Sequence, residues 1–135
     1  MIVVLLGLTW VACAVVVNPI GDFPLNDDWA FGSPVEVLLR DRALRFTDWQ
    51  SPTLVAQVFW GAIFCLPAGF SFTALRLSSL TAGLVGLISM YFLLRHLGAK
   101  GRVATFGAAA LAFNPFYFCL ANSFKIGRAS CRERV

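Results

Sequence analysis

Residues 49–75 read WQSPTLVAQVFWGAIFCLPAGFSFTAL, and they determine how many times this chain can cross a membrane. The segment contains no charged side chain, so its hydropathy alone would allow a membrane span. Pro67 and Gly69 interrupt it, however, and leave residues 53–66 as a helix of about 21 Å, against a hydrocarbon core of about 30 Å. The pattern therefore favours an interfacial or re-entrant helix that starts after Ser51-Pro52.

The composition of the whole chain indicates an integral membrane protein. Of the 135 residues, 59% are hydrophobic and 13% are charged, and the mean hydropathy is +0.76, outside the range of a soluble domain of this size. The net charge of +4 does not indicate a nucleic-acid partner, because +3 of it comes from residues 125–135. The four cysteines have no metal-ligand spacing and are most simply small buried hydrophobic residues: Cys13, Cys65, Cys119 and Cys131.

Apolar runs of sufficient length predict three transmembrane helices: residues 1–17, 74–94 and 103–124. Between the last two lies a basic turn, residues 95–102, which the positive-inside rule assigns to the cytoplasm. A fourth crossing by residues 53–66 would place this turn outside, so three spans fit better. The alternative for the first run is a cleaved signal peptide with its cleavage site near Ala12-Cys13-Ala14, although no basic region precedes it.

On this topology residues 18–73 form an outward loop with two helices of its own. Residues 18–32 contain several helix breakers, and Ser33-Pro34-Val35-Glu36 then predicts an amphipathic helix over residues 34–46, with Ser33 as N-cap, Pro34 at the first position and Glu36 completing a capping box. The second is the interfacial or re-entrant helix. The expected fold class is therefore an all-α membrane protein with three transmembrane helices.

Packing and bending can also be predicted for the spans. Small residues such as Gly83, Gly86 and Gly107 would let the second and third transmembrane helices approach closely. Asn114-Pro115 should kink the third helix, because proline lacks the N–H that an uninterrupted helix requires.

The segment Asn26-Asp27-Asp28-Trp29 contains two adjacent carboxylates on the outward side. Arg76 lies on the same side, near the outer end of the second span. A carboxylate within about 3 Å of an acceptor hydroxyl can take its proton during attack. A second carboxylate can bind a divalent metal ion or raise the pKa of the first, and an arginine can bind phosphate through two N–H groups. In the alternative interpretation the aspartates solvate a loop, Arg76 snorkels or pairs with a loop acid, and Trp29 is an interface anchor.

The order and spacing of several short motifs are informative together: Asp27-Asp28, Thr47-Asp48-Trp49, Ser51-Pro52-Thr53-Leu54, Ala74-Leu75-Arg76-Leu77-Ser78, Arg95-His96-Leu97-Gly98 and Ala112-Phe113-Asn114-Pro115-Phe116. In this order they resemble the N-terminal part of membrane glycosyltransferases with the GT-C fold, in particular family 39-like bacterial relatives of dolichyl-phosphate-mannose protein mannosyltransferases and of lipid A aminoarabinose transferases. The resemblance covers residues 1–124.

The resemblance implies a multi-pass protein of the bacterial inner membrane that moves a sugar from a polyprenyl-phosphate donor to a glycan, lipid or protein acceptor. It implies that Asp27 is the catalytic base, with Asp28 as the second catalytic carboxylate. By their chemistry and position, Arg76 and Trp29 are the candidate substrate-binding residues. A divalent metal ion, bound by the carboxylates, is a possible cofactor, and no nucleic-acid partner is expected. The alternative function is that of a non-enzymatic polytopic transporter or flippase.

The tail differs in character from the rest of the chain. Residues 126–135 resemble the translation of a common sequencing adapter, and the alternative is a genuine basic cytoplasmic tail. With an adapter at this position, we expect the natural protein to continue past Phe124, with a further acidic residue a few positions later. The fragment alone should then be inactive.

Overall fold

The computed structural model describes residues 2–24, 28–45, 55–67 and 69–124. Within these ranges all regular secondary structure is α-helical, which confirms the predicted all-α class for the described part. The helices are α1 (Ile2–Val17), α2 (Asp28–Asp41), α3 (Val55–Cys65), α4 (Phe72–His96), α5 (Gly101–Ala112) and α6 (Pro115–Ala121).

The long helix α4 is the centre of the fold, and each of the other helices packs against it. Near its start an apolar cluster joins α2, α3 and the chain after α6, with Val35, Val58, Leu75 and Phe124 almost fully buried. One to three turns further along α4, a second cluster joins α1 and α6 around Trp10. These two clusters pack the surrounding helices against α4.

Aromatic side chains from three helices donate hydrogen bonds to backbone carbonyls of α4. Trp60 Nε1 donates to the Ser78 carbonyl over 2.9 Å, Trp10 Nε1 to the Leu80 carbonyl over 3.3 Å, and the Tyr117 hydroxyl to the Gly83 carbonyl over 2.7 Å. Carbonyls already bonded within a helix can accept these donors because each oxygen has two lone pairs. The polar groups of these three aromatic side chains thereby find partners inside the protein.

Close approach of helices at glycine is confirmed. A Cβ atom at Gly83 would lie 2.9 Å from the Trp10 ring and 3.1 Å from Ala121 Cβ, and one at Gly107 would lie 2.6 Å from Leu94 Cδ1. The absent side chains therefore make room for α1 and α6 on one side of α4, and for α4 against α5.

One described helix, α4 with its 25 residues, is long and apolar enough to cross a membrane. The pair α5 and α6 meets the same criteria together, but the two helices are bent by 63° at the break, so the count rises to two if they form one broken span. Helices α1 and α3 are apolar and shorter. The three predicted crossings thus stay a prediction.

The bend between α5 and α6 confirms the predicted kink at Asn114-Pro115. Pro115 occupies the first position of α6, and the Asn114 side chain accepts hydrogen bonds from the N–H groups of Phe116 and Tyr117. Asparagine followed by proline both ends α5 and caps α6.

The predicted start of the amphipathic helix at Ser33 is wrong. Helix α2 begins at Asp28, Pro34 lies inside it, and it ends at Asp41 rather than near Phe46, with Arg42 in the left-handed region at φ +52°. A tertiary contact of Asp28, described below, holds the chain at the earlier start. The Ser33 capping motif therefore lies more than one turn after the first residue of the helix.

Candidate functional site

Arg76 lies on the second turn of α4 and is almost completely buried, with 1% of its surface exposed. Its Nε lies 3.4 Å from Asp28 Oδ2, and Nη1 donates to the carbonyls of Pro19, at 3.2 Å, and Gly21, at 3.0 Å. Nη2 donates to the Phe23 carbonyl, and the Phe23 ring centroid lies 5.1 Å from the guanidinium carbon. The guanidinium therefore holds residues 19–23 against α4.

Asp28, the first residue of α2, is also 1% exposed. One carboxylate oxygen faces Arg76, and the other accepts the backbone N–H of Phe124 over 2.9 Å. A buried carboxylate needs such partners, because an unpaired buried charge is very unfavourable. We call Asp28, Arg76 and the Phe124 amide the acid–arginine node; it joins the start of α2, the start of α4 and the chain just after α6.

A second carboxylate, Asp22, fixes the same end of α4. Its Oδ1 accepts the Phe72 N–H over 2.9 Å and the Ser71 hydroxyl over 3.1 Å, and the neighbouring Gly21 N–H donates to Thr73 Oγ1 over 3.1 Å. An acidic side chain at a helix N-terminus satisfies free N–H groups and complements the helix dipole. From the sequence, no role is predicted for Asp22. The available signal was Ser71, 49 residues later, which caps the start of α4 and leaves N–H groups there that an acidic side chain can bind.

The four residues singled out from the sequence have different positions. Asp28 and Arg76 are brought together, as in the alternative interpretation that Arg76 pairs with a loop acid. Trp29 is on the surface with 60% of its area exposed. Asp27, the predicted base, lies outside the described residues.

An apolar cavity of about 580 Å³ adjoins the node. It lies between α3, α4 and α6, and its walls include Ala56, Gln57, Trp60, Ser79, Ala82, Gly83, Val85, Tyr117, Leu120, Ala121 and Phe124. Phe124 belongs to both features, since it lines the cavity and its N–H binds Asp28. An open, mostly apolar concave surface is thus adjacent to a buried carboxylate.

The described residues do not form a metal centre. None of them make up a group of three or more histidine, cysteine, aspartate or glutamate side chains that could hold an ion. Asp28 itself does not fit a metal ligand, because its oxygens face a guanidinium cation and a backbone N–H. A divalent cation beside Arg76 would meet charge repulsion in a buried site.

Over the described residues, the structure is an all-helical fold with a buried ion pair at the start of α4, a helix that is long and apolar enough to cross a membrane. No protein family, curated protein or solved structure matches this chain.

Proposed function

We propose that this chain is the N-terminal part of an integral membrane glycosyltransferase, which transfers a sugar from a polyprenyl-phosphate donor to an acceptor on the non-cytoplasmic face. The observation that carries the proposal is the acid–arginine node beside the apolar cavity. The node holds the acidic segment against the start of α4 and the chain after α6. The cavity presents an apolar surface next to the node.

In this proposal Asp27 is the catalytic base and Asp28 is a positioning residue. Both oxygens of Asp28 have protein partners, which leaves the adjacent acid as the better candidate for contact with substrate. Asp27 is the chain neighbour of Asp28. Because Asp28 is anchored to Arg76, the distance that the base can move from the start of α4 is limited. Positioning of this kind supports catalysis because a general base must reach the proton that it accepts.

The proposed reaction is a displacement with inversion at the anomeric carbon. Asp27 accepts the proton of the acceptor hydroxyl while the hydroxyl oxygen forms a bond to that carbon. The bond between the carbon and the phosphate oxygen breaks, and its electron pair leaves with the polyprenyl phosphate. The lipid phosphate leaves as an anion, so the step requires no general acid.

Arg76 has a structural role in this proposal. Its guanidinium is committed to Asp28 and to the carbonyls of residues 19, 21 and 23, and it is 1% exposed. It therefore stabilises the acidic loop, and contact with the donor phosphate would require breaking a buried network. The cavity walls would accommodate an apolar part of the donor, since burial of apolar surface is favourable.

The proposed topology has three crossings, by α1, by α4 and by α5 with α6 as one bent span, in the bacterial inner membrane. The apolar character of these helices supports it. The basic turn after α4 is cytoplasmic, and the node is at the opposite, outward end of α4.

The test is the substitution Asp27→Asn in the complete parent protein. Removing a general base should lower the transfer rate by about 10² to 10⁴-fold while membrane insertion is unchanged. The measurement is transfer of labelled sugar from a polyprenyl-phosphate donor in membranes. The matched control is Asp41→Asn, an exposed acid at the end of α2, which should retain activity. Wild-type transfer in the Asp27→Asn variant would refute the catalytic assignment.

A transporter or flippase is the second candidate, and the break between α5 and α6 is the observation that favours it. Transporters often build their sites from interrupted helices, and here the two halves are bent by 63°. Transport sites of this kind also place charged or ion-coordinating groups at the break, whereas the break here consists of Phe113 and Asn114, and Asn114 caps α6. The ion pair lies elsewhere, at the start of α4, and this favours the transferase.

A further inference from the structure

The end of α4 opposite the node carries a cluster of exposed cationic side chains. Arg95, Lys100 and Arg102 are all exposed, as is His96, and they lie on the last turn of α4, in the connection and on the first turn of α5. Residues 69–124 contain no aspartate or glutamate, so none of these cations has an acidic partner within that part of the chain. We call Arg95, Lys100 and Arg102 the basic turn cluster.

The backbone of the turn is well defined by hydrogen bonds. Gly98, with φ +86°, donates its N–H to the Arg95 carbonyl, and the Ala99 N–H bonds to the Leu94 carbonyl. Arg95 Nη1 donates to the Ala99 carbonyl over 3.1 Å, which holds that guanidinium over the turn. The cations are therefore presented from a short, ordered connection.

Exposed apolar side chains lie beside these cations. Leu97 is 72% exposed and Val103 57% exposed. Cations next to exposed aliphatic groups suit the boundary between lipid headgroups and acyl chains, where the charges meet phosphates and the aliphatic groups meet hydrocarbon. If the apolar helix α4 crosses the membrane, the turn at its end lies at the depth of the lipid headgroups.

We propose that the basic turn cluster binds the phosphate headgroups of anionic phospholipids in the leaflet where α4 ends. This inference rests on the membrane embedding of α4 that the proposed function includes, and it is independent of sugar transfer. The partner is an anionic lipid such as phosphatidylglycerol, because the cluster offers several cations and no competing acid.

The experiment measures lipid binding to the purified chain in an uncharged detergent by native mass spectrometry. Phosphatidylglycerol and phosphatidylcholine are titrated separately, and their affinities are compared. Each cation near an anionic lipid surface strengthens attraction about fivefold. Wild-type protein should prefer phosphatidylglycerol, and the variant K100Q/R102Q should lose about tenfold or more of that preference. This variant leaves Arg95 and its bond to Ala99 intact, so the turn should retain its fold.

A charge-matched control removes two cations at the end of α2, Arg40→Gln with Arg42→Gln. These side chains are also exposed, but Arg40 is bonded to Asp41 over 2.9 Å. The control should keep the lipid preference. Equal binding of both lipids by the wild type, an unchanged preference in K100Q/R102Q, or an equal loss in the control would each overturn the inference. Carbonate extraction of cell membranes tests membrane embedding separately. The lipid titration contains no sugar donor, so a failure of lipid binding can be told apart from a failure of the proposed sugar transfer.

Discussion

Replacing Asp28 by asparagine should destabilise the chain strongly, because it removes one charge of a buried ion pair. Asp28 and Arg76 are each 1% exposed, so neither charge can be solvated by water when its partner is lost. Breaking such a pair by removing one member costs about 3–5 kcal/mol of the free energy of unfolding. Asparagine is nearly the same size and keeps an oxygen that can accept the Phe124 N–H, so the expected loss reflects the charge.

Equilibrium unfolding in mixed micelles, followed by helical circular dichroism, gives the measurement. The matched control is Asp41→Asn, since Asp41 also pairs with an arginine but lies at the surface. Solvent screens that pair, so its loss should be far smaller. A third variant, Arg76→Met, removes the other charge and the bonds to the carbonyls of residues 19, 21 and 23.

The double variant, Asp28→Asn with Arg76→Met, completes the cycle. Because each single change leaves an unpaired buried charge, the double variant should be less unstable than the sum of the two single losses. A stability of Asp28→Asn within error of Asp41→Asn would refute the reasoning, since the pair would then contribute no more than a surface contact. Strict additivity in the cycle would contradict direct pairing of the two side chains.

Two further results are expected. Gly83→Ala should destabilise the packing of α1 and α6 on α4, because the new Cβ would lie 2.9 Å from the Trp10 ring. The control Gly7→Ala should be tolerated in the same unfolding assay, because the nearest neighbour of its new Cβ lies at 3.8 Å. Equal stability of the two variants would contradict the close approach at Gly83. In a variant without other cysteines, Lys100→Cys should resist an impermeant thiol reagent in whole cells and react after lysis, and ready labelling of intact cells would reverse the proposed sidedness.

Local sequence patterns predicted the features of the fold that depend on near neighbours. Asn114-Pro115 ends one helix and starts the next through its own side chains, so the kink could be predicted from two residues. Gly83 could likewise be identified as a site of close packing. The identity of its partners, Trp10 and Ala121, could not be predicted, because these contacts join distant parts of the chain.

The start of α2 and the role of Arg76 depend on tertiary contacts that no local pattern contains. Asp28 meets Arg76 across 48 residues and the Phe124 N–H across 96 residues. These partners hold Asp28 at the helix start, although Ser33-Pro34 carries the stronger local signal. The sequence placed an acid and an arginine at the same side of the membrane and left open whether they pair, which is a question of distance and burial.

The node also bears on how α4 is oriented in a membrane. Positive charges affect orientation chiefly when they lie within about 15–20 residues of a span, so Arg40, Arg42 and Arg45 in the middle of the loop count little. Near the start of α4 the described cation is Arg76, and it is buried with Asp28. At the other end the basic turn cluster is exposed and has no acid nearby. Accessible positive charge is therefore concentrated at the end of α4 remote from the node. The outward-facing site that we propose therefore lies at the end of α4 with less solvent-accessible positive charge.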